Sequence, residues 1–299
     1  MKGKCGRMTA GSVSIGRMQF ALIIQIGLSS QRDALTSWYE GTMVLLLEAS
    51  IKECMIYGGR FTEVWGKLHW ETDTKGMNRP FDPVFRNAMA ETMKELCQGI
   101  QGCVFGYTQS DEISLLLTDY STLDTDAWFG YEVQKMCSIA ASTATLSFNI
   151  NFIDQANAAQ QFYDTEASIE GYMKFDYSVY ERRFNKANFD ARVFSLPKEE
   201  VCNYFIWRQQ DATRNSIQSA GQAYFSHHEL QGKNQTDIQE MLRSTQNLNW
   251  NDYPVWYKRG VTCYKTPQNI DKKTTRMKWV IDDKLPIFSQ DRTHVEAWI

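Results

Sequence analysis

The chain has 299 residues, of which 43% are hydrophobic and 22% charged, and its formal net charge is -3 at pH 7. This ordinary globular composition argues against a largely disordered chain and predicts a folded soluble protein with a sizeable core, in one large domain or two. The small negative charge does not indicate nucleic-acid binding, although a basic groove can coexist with an acidic remainder.

Cysteine and histidine usage limits the metal and redox chemistry of the chain. The seven cysteines are scattered without any C-x-x-C pair, and an odd number argues against a disulfide framework or a cysteine zinc site. The four histidines are too few for a histidine-rich metal site, and the adjacent His227 and His228 would not face each other on a helix. We therefore expect a reducing, intracellular location, taken here as cytoplasmic.

The N-terminal part contains three apolar runs. Residues 20–28 follow a basic start and superficially copy a signal peptide, but Gln25 interrupts the run and it is too short to span a bilayer. A buried strand or a short helix accounts for it better. The run at residues 43–47 has the same ambiguity, and residues 55–57 before Gly58 and Gly59 are typical of a strand that enters a tight turn.

The middle of the chain predicts a helix, a hairpin and a second helix. Asp82 can cap a helix whose first residue is Pro83, and apolar residues then recur at helical spacing until Gly99. Residues 103–117 hold two apolar runs separated by a polar corner, the pattern of a hairpin in a buried sheet. The second helix is predicted from about residue 127 to 146.

Two acids, Asp111 and Glu112, lie at the polar corner of the predicted hairpin. Carboxylates on the rigid lip of a sheet are ligands that suit Mg²⁺, which usually keeps waters and substrate phosphates around it. The alternative is that these acids are simply solvated, as acids at hairpin corners usually are.

The elements so far follow the order strand, helix, strand, strand, helix. Residues 151–188 are polar, rich in aromatic residues and less periodic, which favours an insertion or a long excursion. Residues 191–196 then supply one more strand, closed by Pro197. This completes the β-α-β-β-α-β order of a ferredoxin-like sheet. A long helix should begin near Lys198, with a polar face that is either solvated or suited to phosphate and base contacts. That face comprises Arg208, Gln209, Gln210, Asp211, Arg214, Asn215 and Gln218.

The C-terminal third mixes a short helix with strands. The helix is predicted at residues 236–242 and the hairpin-like strands at residues 261–265 and 277–281. Lys272, Lys273 and Arg276 form a modest basic corner between those strands.

Five segments are long and specific enough that chance is a poor explanation for their likeness to one family. They are YTQSDEIS at 107–114, KGMNRPFD at 75–82, FDARVF at 189–194, NYFIWRQQDATRNS at 203–216 and WNDYP at 250–254. Together they resemble the tRNA-His guanylyltransferase-like family, over roughly residues 74 to 290 with one insertion.

The resemblance implies an α+β fold: a ferredoxin-like polymerase palm, an antiparallel sheet with helices on one face, followed by a C-terminal α/β extension. Residues 1–73 would be a poorly matched N-terminal region that includes the first palm strand. The palm catalytic domain would span 74–225, with an insertion near 150–188, and the extension 226–299.

The implied activity is nucleotide addition to the 5′ end of tRNA, opposite in direction to ordinary polymerases. In the family, ATP or GTP activates a tRNA 5′-monophosphate and the 3′-hydroxyl of an incoming nucleotide then attacks; pyrophosphate leaves when the 5′ end is already a triphosphate. Two Mg²⁺ ions are expected to polarise the attacking hydroxyl and the leaving phosphate. The implied partners are tRNA or a tRNA-like RNA and nucleoside triphosphates, with no membrane, and the expected assembly is a homotetramer.

The resemblance also implies roles for individual residues. Asp111 would bridge the two metal ions and Glu112 would support or bind one of them, so both are expected catalytic and metal-binding residues. Arginine suits bidentate phosphate recognition. The implied nucleotide and phosphate contacts are Lys75, Arg79, Ser110, Arg192 and Arg208. The implied RNA contacts are Asn203, Arg214 and Asn215.

One departure from the family concerns metal binding. The first strand of the family normally ends in an Asp-Gly-Arg or Asp-Gly-Lys turn, whose Asp is the other shared metal ligand. This chain has YGGRF at 57–61 and VWGK at 64–67, and neither offers that Asp, although Glu63 or Asp73 could substitute. Losing a shared carboxylate should weaken two-metal binding.

A second departure concerns the RNA. Where enzymes that add guanosine to tRNA-His carry a His-Ile-Asn-Asn run, this chain has Thr213, Arg214, Asn215 and Ser216, which favours the family branch that repairs truncated tRNA 5′ ends. The leading hypothesis is an active Mg²⁺-dependent nucleotidyltransferase. The alternatives are a catalytically impaired relative that binds RNA or nucleotides and, more distantly, a nucleotide cyclase on the same kind of palm.

Overall fold

The computed structural model describes residues 20–28, 76–119, 125–165, 175–269 and 275–299. Several residues and runs singled out in the sequence lie outside these ranges. They are residues 43–47, 55–61 and 64–67, Glu63, Asp73, Lys75, Lys272 and Lys273.

One antiparallel sheet organises the described residues, with its six strands in the order β4-β1-β3-β2-β5-β6. The strands are β1 (Phe20–Leu28), β2 (Cys103–Gln109), β3 (Glu112–Thr118), β4 (Phe189–Pro197), β5 (Val261–Asn269) and β6 (Thr275–Asp282). The order β4-β1-β3-β2 is that of a ferredoxin-like sheet, so the predicted α+β palm is confirmed. Strands β5 and β6, expected in a C-terminal extension, continue the same sheet beyond β2.

The central strand β1 is the N-terminal apolar run, which the sequence predicts as a buried strand or a short helix. It pairs with β3 on one side and β4 on the other. Ile23, Ile24 and Ile26 are fully buried, and Ile23 packs in a different core cluster from the other two. A strand with apolar side chains on both faces is typical of the centre of a sheet that is covered on both sides.

Two helices cover the first face of the sheet. The helix α1 (Pro83–Gly99) begins as predicted, with Asp82 as its N-cap and proline at its first position. The helix α2 (Val133–Thr165) runs well beyond the predicted end at residue 146. Its buried residues recur every fourth position, at Met136, Ala140, Ala144, Phe148, Phe152 and Ala156.

Residues 151–165, the first part of the segment predicted as an insertion, continue the core helix α2. Phe148 contacts Phe85 of α1 edge to face, with ring centroids 5.5 Å apart. By length and composition alone α2 could also cross a membrane. Its buried stripe instead packs on α1 and the sheet, as expected for a core helix.

A long helix, α4 (Lys198–Tyr224), covers the opposite face of the sheet. Its Val201 and Phe205 pack with Ile23, Phe105 and other residues of β1, β2 and β3, and Phe105 and Phe205 meet edge to face at 5.1 Å. The helices therefore lie on both faces of the sheet and not on one face, as the family resemblance implies. The short helix α3 (Tyr177–Glu181) precedes β4.

The remaining described elements are helices of the C-terminal part and 3-10 turns. They are α5 (His227–Leu230), α6 (Gln235–Gln246), α7 (Val255–Arg259), α8 (Thr293–Glu296) and the 3-10 turns Trp128–Tyr131 and Trp250–Asp252. The helix predicted at residues 236–242 is α6, and a small separate core forms where it packs on α4.

The buried cap of α1 leads to a stability prediction. The Asp82 carboxylate accepts hydrogen bonds from the backbone N–H groups of Phe85 (3.0 Å) and Asn78 (2.9 Å) and from the Tyr180 hydroxyl (2.6 Å). Asp82→Ala should lower the free energy of unfolding by about 2–3 kcal/mol, because the cap is lost and a buried hydroxyl loses its partner. Urea unfolding followed by circular dichroism measures this.

The exposed cap Asp176 of α3 provides the matched control. Its carboxylate also accepts a backbone N–H bond, from Ser178, but it lies at the surface. Asp176→Ala should therefore cost about 1 kcal/mol or less. Equal losses in the two variants would contradict a special role for the buried Asp82 cap.

Candidate active site

The corner between β2 and β3 is a two-residue turn formed by Ser110 and Asp111, since Gln109 pairs directly with Glu112. Ser110 has a φ of 54°, a left-handed conformation that favours glycine. The Thr108 hydroxyl donates a 2.9 Å hydrogen bond to the Glu112 carbonyl oxygen and braces the corner. The turn therefore holds the Asp111 carboxylate, which is partly exposed, on a rigid support.

Beneath the corner lies Arg208 of α4, only 1% exposed. Its Nη2 pairs with Oε2 of Glu112, and its Nη1 lies 3.7 Å from Oδ2 of Asp211. Burial lowers the pKa of Arg208, while Asp211 and Asp111 act in the opposite direction. The prediction that Arg208, Gln209 and Asp211 lie on a polar face of this helix is wrong, because all three are buried.

A third acid, Asp190 at the start of β4, lies at the same end of the sheet. In the strand register, Gly27 of β1 stands opposite both Glu112 and Asp190. Burial raises the pKa of the Asp190 carboxyl and the negative charge of Asp111 adds to this, whereas Arg192, 3.8 Å away, lowers it. The charge of Asp111 thus reaches the Asp190 carboxyl across the position of β1.

An open cleft lies beside the corner and reaches Ser110. Phe81 meets the edge of Tyr257 with ring centroids 3.9 Å apart, and the Arg86 guanidinium lies 5.0 Å from the Trp256 ring centroid. Aromatic walls with a few polar groups at one end suit a planar ring that carries a charged substituent. The cleft is lined by Phe81, Asp82, Phe85, Arg86, Met89, Thr108, Gln109, Ser110, Trp256, Tyr257, Gly260 and Val261.

The structure brings only some of the predicted site residues together. Ser110, Asp111 and Glu112 form the corner, with Arg208 beneath it. Arg192 lies on β4, exposed, at the same end of the sheet. Arg79 is exposed in the segment that leads to α1.

The predicted RNA contacts separate into two places on α4. Arg214 and Asn215 are exposed and hydrogen-bond the Asp211 carboxylate at 2.7 and 3.2 Å. Asn203 instead lies near the start of the helix, where it pairs with Glu200 and Arg292. It is not part of the group around Arg208.

Sequence reasoning missed several residues of this region. Asp190 stands inside the matched segment FDARVF, but only strand pairing places it next to the corner. Arg86 belongs to the polar side of α1, while Trp256 and Tyr257 come from a short helix that carries no clear pattern. The tryptophan and tyrosine could have been found only from the adjoining segment WNDYP.

The donor groups at the corner fit one way of binding Mg²⁺. Within the described ranges, no group of three or more Asp, Glu, His or Cys side chains is placed to hold a metal ion. Mg²⁺ is nevertheless often held by one or two carboxylates, with substrate phosphates and waters as the other ligands. The partly exposed Asp111 carboxylate suits that arrangement, in which the metal binds together with a nucleotide.

Comparison with known proteins identifies a matching family and similar solved structures. The sequence model of the tRNAHis guanylyltransferase family matches residues 67–197. The fold is similar to that of a bacterial tRNA(His) guanylyltransferase-like protein, solved in complex with ATP. That chain is 34% identical in sequence, the TM-score is 0.65, and the match covers 94% of this chain and 90% of the other. A bacterial protein of the same description in complex with GTP is 33% identical, with a TM-score of 0.61 and coverage of 93% and 89%.

Curated relatives are more distant. An uncharacterized protein of Acanthamoeba polyphaga mimivirus is 28% identical over 204 residues, which cover 64% of this chain and 65% of that protein. A probable tRNA(His) guanylyltransferase of Bos taurus is 24% identical over 229 residues, 73% of this chain and 68% of the relative. The chain thus aligns with about two thirds of the length of these curated relatives.

The left-handed Ser110 allows a test of its predicted phosphate contact. Ser110→Ala removes the hydroxyl and keeps the unfavourable φ, whereas Ser110→Gly removes the hydroxyl and relieves it. Losing a hydrogen bond to a charged group should weaken nucleotide binding by about tenfold in both variants, while only glycine preserves or raises stability, by up to about 1 kcal/mol. Calorimetric titration with GTP and thermal unfolding measure the two effects. Wild-type GTP affinity in both variants would exclude the contact.

Proposed function

Because the chain belongs to the tRNA-His guanylyltransferase-like family, we propose that it adds nucleotides to the 5′ end of a tRNA or tRNA-like RNA, with Mg²⁺ and with ATP or GTP as substrates. The observation that carries this proposal is the rigid β2-β3 corner, which holds Asp111 next to an aromatic-walled cleft. The two bacterial relatives hold ATP and GTP, which supports a nucleotide as the ligand.

In the proposed reaction, the nucleoside part of a triphosphate occupies the cleft between Phe81 and Trp256, and its phosphates extend past Ser110 towards Asp111. The 3′-hydroxyl of the incoming nucleotide attacks the α-phosphorus of the RNA 5′-triphosphate. A new phosphodiester bond forms, pyrophosphate leaves and the hydroxyl proton passes to solvent. The role of the chain is to position the groups and balance charge, which is the main requirement in phosphoryl transfer.

Asp111 is the carboxylate proposed to hold Mg²⁺. When bound, Mg²⁺ supplies positive charge that stabilises the negative charge developing on the phosphate oxygens. The exposed Arg192 at the same end of the sheet is a candidate for a phosphate contact, because guanidinium groups bind phosphate oxygens in pairs.

For the RNA we propose a tRNA whose 5′ end is truncated. The exposed Arg214 and Asn215 of α4 lie within the run that replaces His-Ile-Asn-Asn, so the contact made by that histidine is not available here. Their side chains can contact the RNA backbone, which positions a nucleic acid without reading its sequence.

The second candidate is a relative that binds nucleotide and RNA without polymerising. One observation favours it: β1 contains no acidic residue, and Gly27 stands opposite Glu112 where a family member could contribute a carboxylate. Such a protein should bind GTP equally well with and without Mg²⁺, whereas the active enzyme should bind it more tightly with Mg²⁺.

The test is template-dependent extension of a 5′-truncated, 5′-triphosphorylated tRNA with labelled nucleotides and Mg²⁺. The expected product is longer by the nucleotides that restore Watson-Crick pairs, and RNA with an intact 5′ end serves as the control substrate. A folded protein that binds this tRNA and GTP but extends neither RNA would refute the polymerase and favour the second candidate.

A further inference from the structure

The buried Arg208 is in the wrong place to serve as a direct phosphate contact. The side chain is 1% exposed and lies under the hairpin corner, with its positive charge enclosed by protein. Its Nη2 forms an ion pair with the Glu112 carboxylate, whereas Nε and Nη1 make no hydrogen bond among the described residues. A buried guanidinium needs nearby negative charge, and here Glu112 and Asp211 provide it.

Glu112 is correspondingly committed to the protein. Its Oε2 pairs with Arg208, and its Oε1 accepts a long, 3.5 Å hydrogen bond from Nε2 of Gln25 on β1. A metal ion at these oxygens would have to displace the Arg208 guanidinium or lie beside it. The metal and the guanidinium are both cations and would repel each other strongly, because the guanidinium is shielded from water. Asp111 differs, since no described donor hydrogen-bonds its carboxylate.

The charges continue in an alternating series from the corner into α4. Glu112 is followed by Arg208, then by Asp211, then by Arg214, which is 2.7 Å from Asp211. Two negative and two positive groups compensate each other. Asp111 forms none of these ion pairs, so its carboxylate oxygens remain open to a ligand.

We infer that Arg208 is a positioning residue that holds Glu112 as its internal counter-ion, so that Asp111 alone of the two corner acids binds the metal and the nucleotide phosphates. This rests on the proposed function in its choice of ligands. The two adjacent acids then have separate tasks: Glu112 fixes the end of β3 over α4, and Asp111 faces the ligand.

The first test compares isosteric variants of the two acids. Mn²⁺ binding to the protein in the presence of GTP is measured by electron paramagnetic resonance for wild type, Asp111→Asn and Glu112→Gln, with GTP alone as the background. Asp111→Asn should weaken Mn²⁺ binding by about tenfold or more, because a ligand is lost, and Glu112→Gln should change it by less than about threefold. Equal losses in the two variants, or no Mn²⁺ binding by the wild type, would overturn the inference.

The second test asks whether Arg208 touches phosphate. Arg208→Lys keeps the charge but cannot keep the geometry of the guanidinium. The dissociation constant for GTP should stay within about twofold of wild type while kcat for nucleotide addition falls by about tenfold, because a displaced Glu112 disturbs the corner without removing a ligand contact. A tenfold weaker GTP affinity with unchanged kcat would instead make Arg208 a phosphate-binding residue.

The two proposals can fail separately. A wild-type protein that extends no RNA would refute the proposed reaction, yet the Mn²⁺ and GTP measurements would still decide the roles of Arg208, Glu112 and Asp111. If Arg208→Lys does not fold, the isosteric pair at positions 111 and 112 remains decisive.

Discussion

Asp111→Ala should reduce kcat for nucleotide addition by on the order of 1,000-fold, equivalent to about 4 kcal/mol of transition-state stabilisation. Asp111 is the corner acid whose carboxylate no described donor occupies, and it stands next to the cleft through the adjoining Ser110. Removing its carboxylate deletes the proposed metal ligand without disturbing the core. Single-turnover extension of the truncated tRNA at saturating GTP and RNA measures the loss.

The stability of this variant distinguishes chemistry from folding. Asp111 is partly exposed in a turn, so Asp111→Ala should change the free energy of unfolding by less than about 0.5 kcal/mol. Asp154→Ala, which removes an exposed acid on α2, should retain wild-type kcat. Loss of less than about tenfold in the Asp111 variant would be too small for a metal ligand and would rule out the proposed role.

Gly260→Ala should destabilise the protein by about 3–5 kcal/mol. Gly260 follows α7 with a φ of 81°, and an added Cβ would lie 2.5 Å from the carbonyl oxygen of Thr108 and 2.9 Å from the hydroxyl of Tyr107. Both neighbours are held in place, since Thr108 belongs to β2 and the Tyr107 hydroxyl donates a 2.8 Å hydrogen bond to the Arg259 carbonyl. The clash therefore combines backbone strain with overpacking.

Gly99→Ala is the matched control for Gly260→Ala. Gly99 ends α1, and an added Cβ there meets nothing within 4 Å. The substitution should leave the free energy of unfolding unchanged or raise it by up to about 1 kcal/mol. Urea unfolding of both variants tests the pair, and a Gly260→Ala protein as stable as the Gly99 variant would show that β2 can move away from α7.

The parts of the fold that can be predicted from the sequence are those that depend on residues close together in the chain. The Asp82 cap followed by Pro83 and the hairpin around Asp111 depend on neighbouring residues, and both are present in the structure. The end of α2 was missed because polar residues such as Asn151 hide a stripe that recurs every fourth residue. Asp190 was missed because strand pairing with β1, distant in sequence, places it at the site.

The orientation of Arg208 could have been read from helical spacing. Val201, Tyr204, Phe205, Arg208 and Ala212 follow the i, i+3, i+4, i+7, i+11 pattern of one helix face, and all five are buried. The arginine therefore lies on the apolar stripe of α4. From the sequence, its guanidinium group suggests a phosphate contact. In the structure, the carboxylates of Glu112 and Asp211 explain why the protein tolerates this charge on the apolar stripe.

The central position of β1 affects how the protein folds. The β2-β3 hairpin joins residues close in sequence, so the corner with Asp111 can form early, but Ile24 of β1 pairs with Val193 of β4. Closing that loop of roughly 170 residues is entropically costly, and pairings of this kind slow folding to milliseconds or longer. During synthesis β1 would leave the ribosome before the other strands of the sheet, and it could not pair with β4 until β4 had also emerged. The nascent chain would thus hold an apolar strand without one of its two partners until residue 197 has emerged.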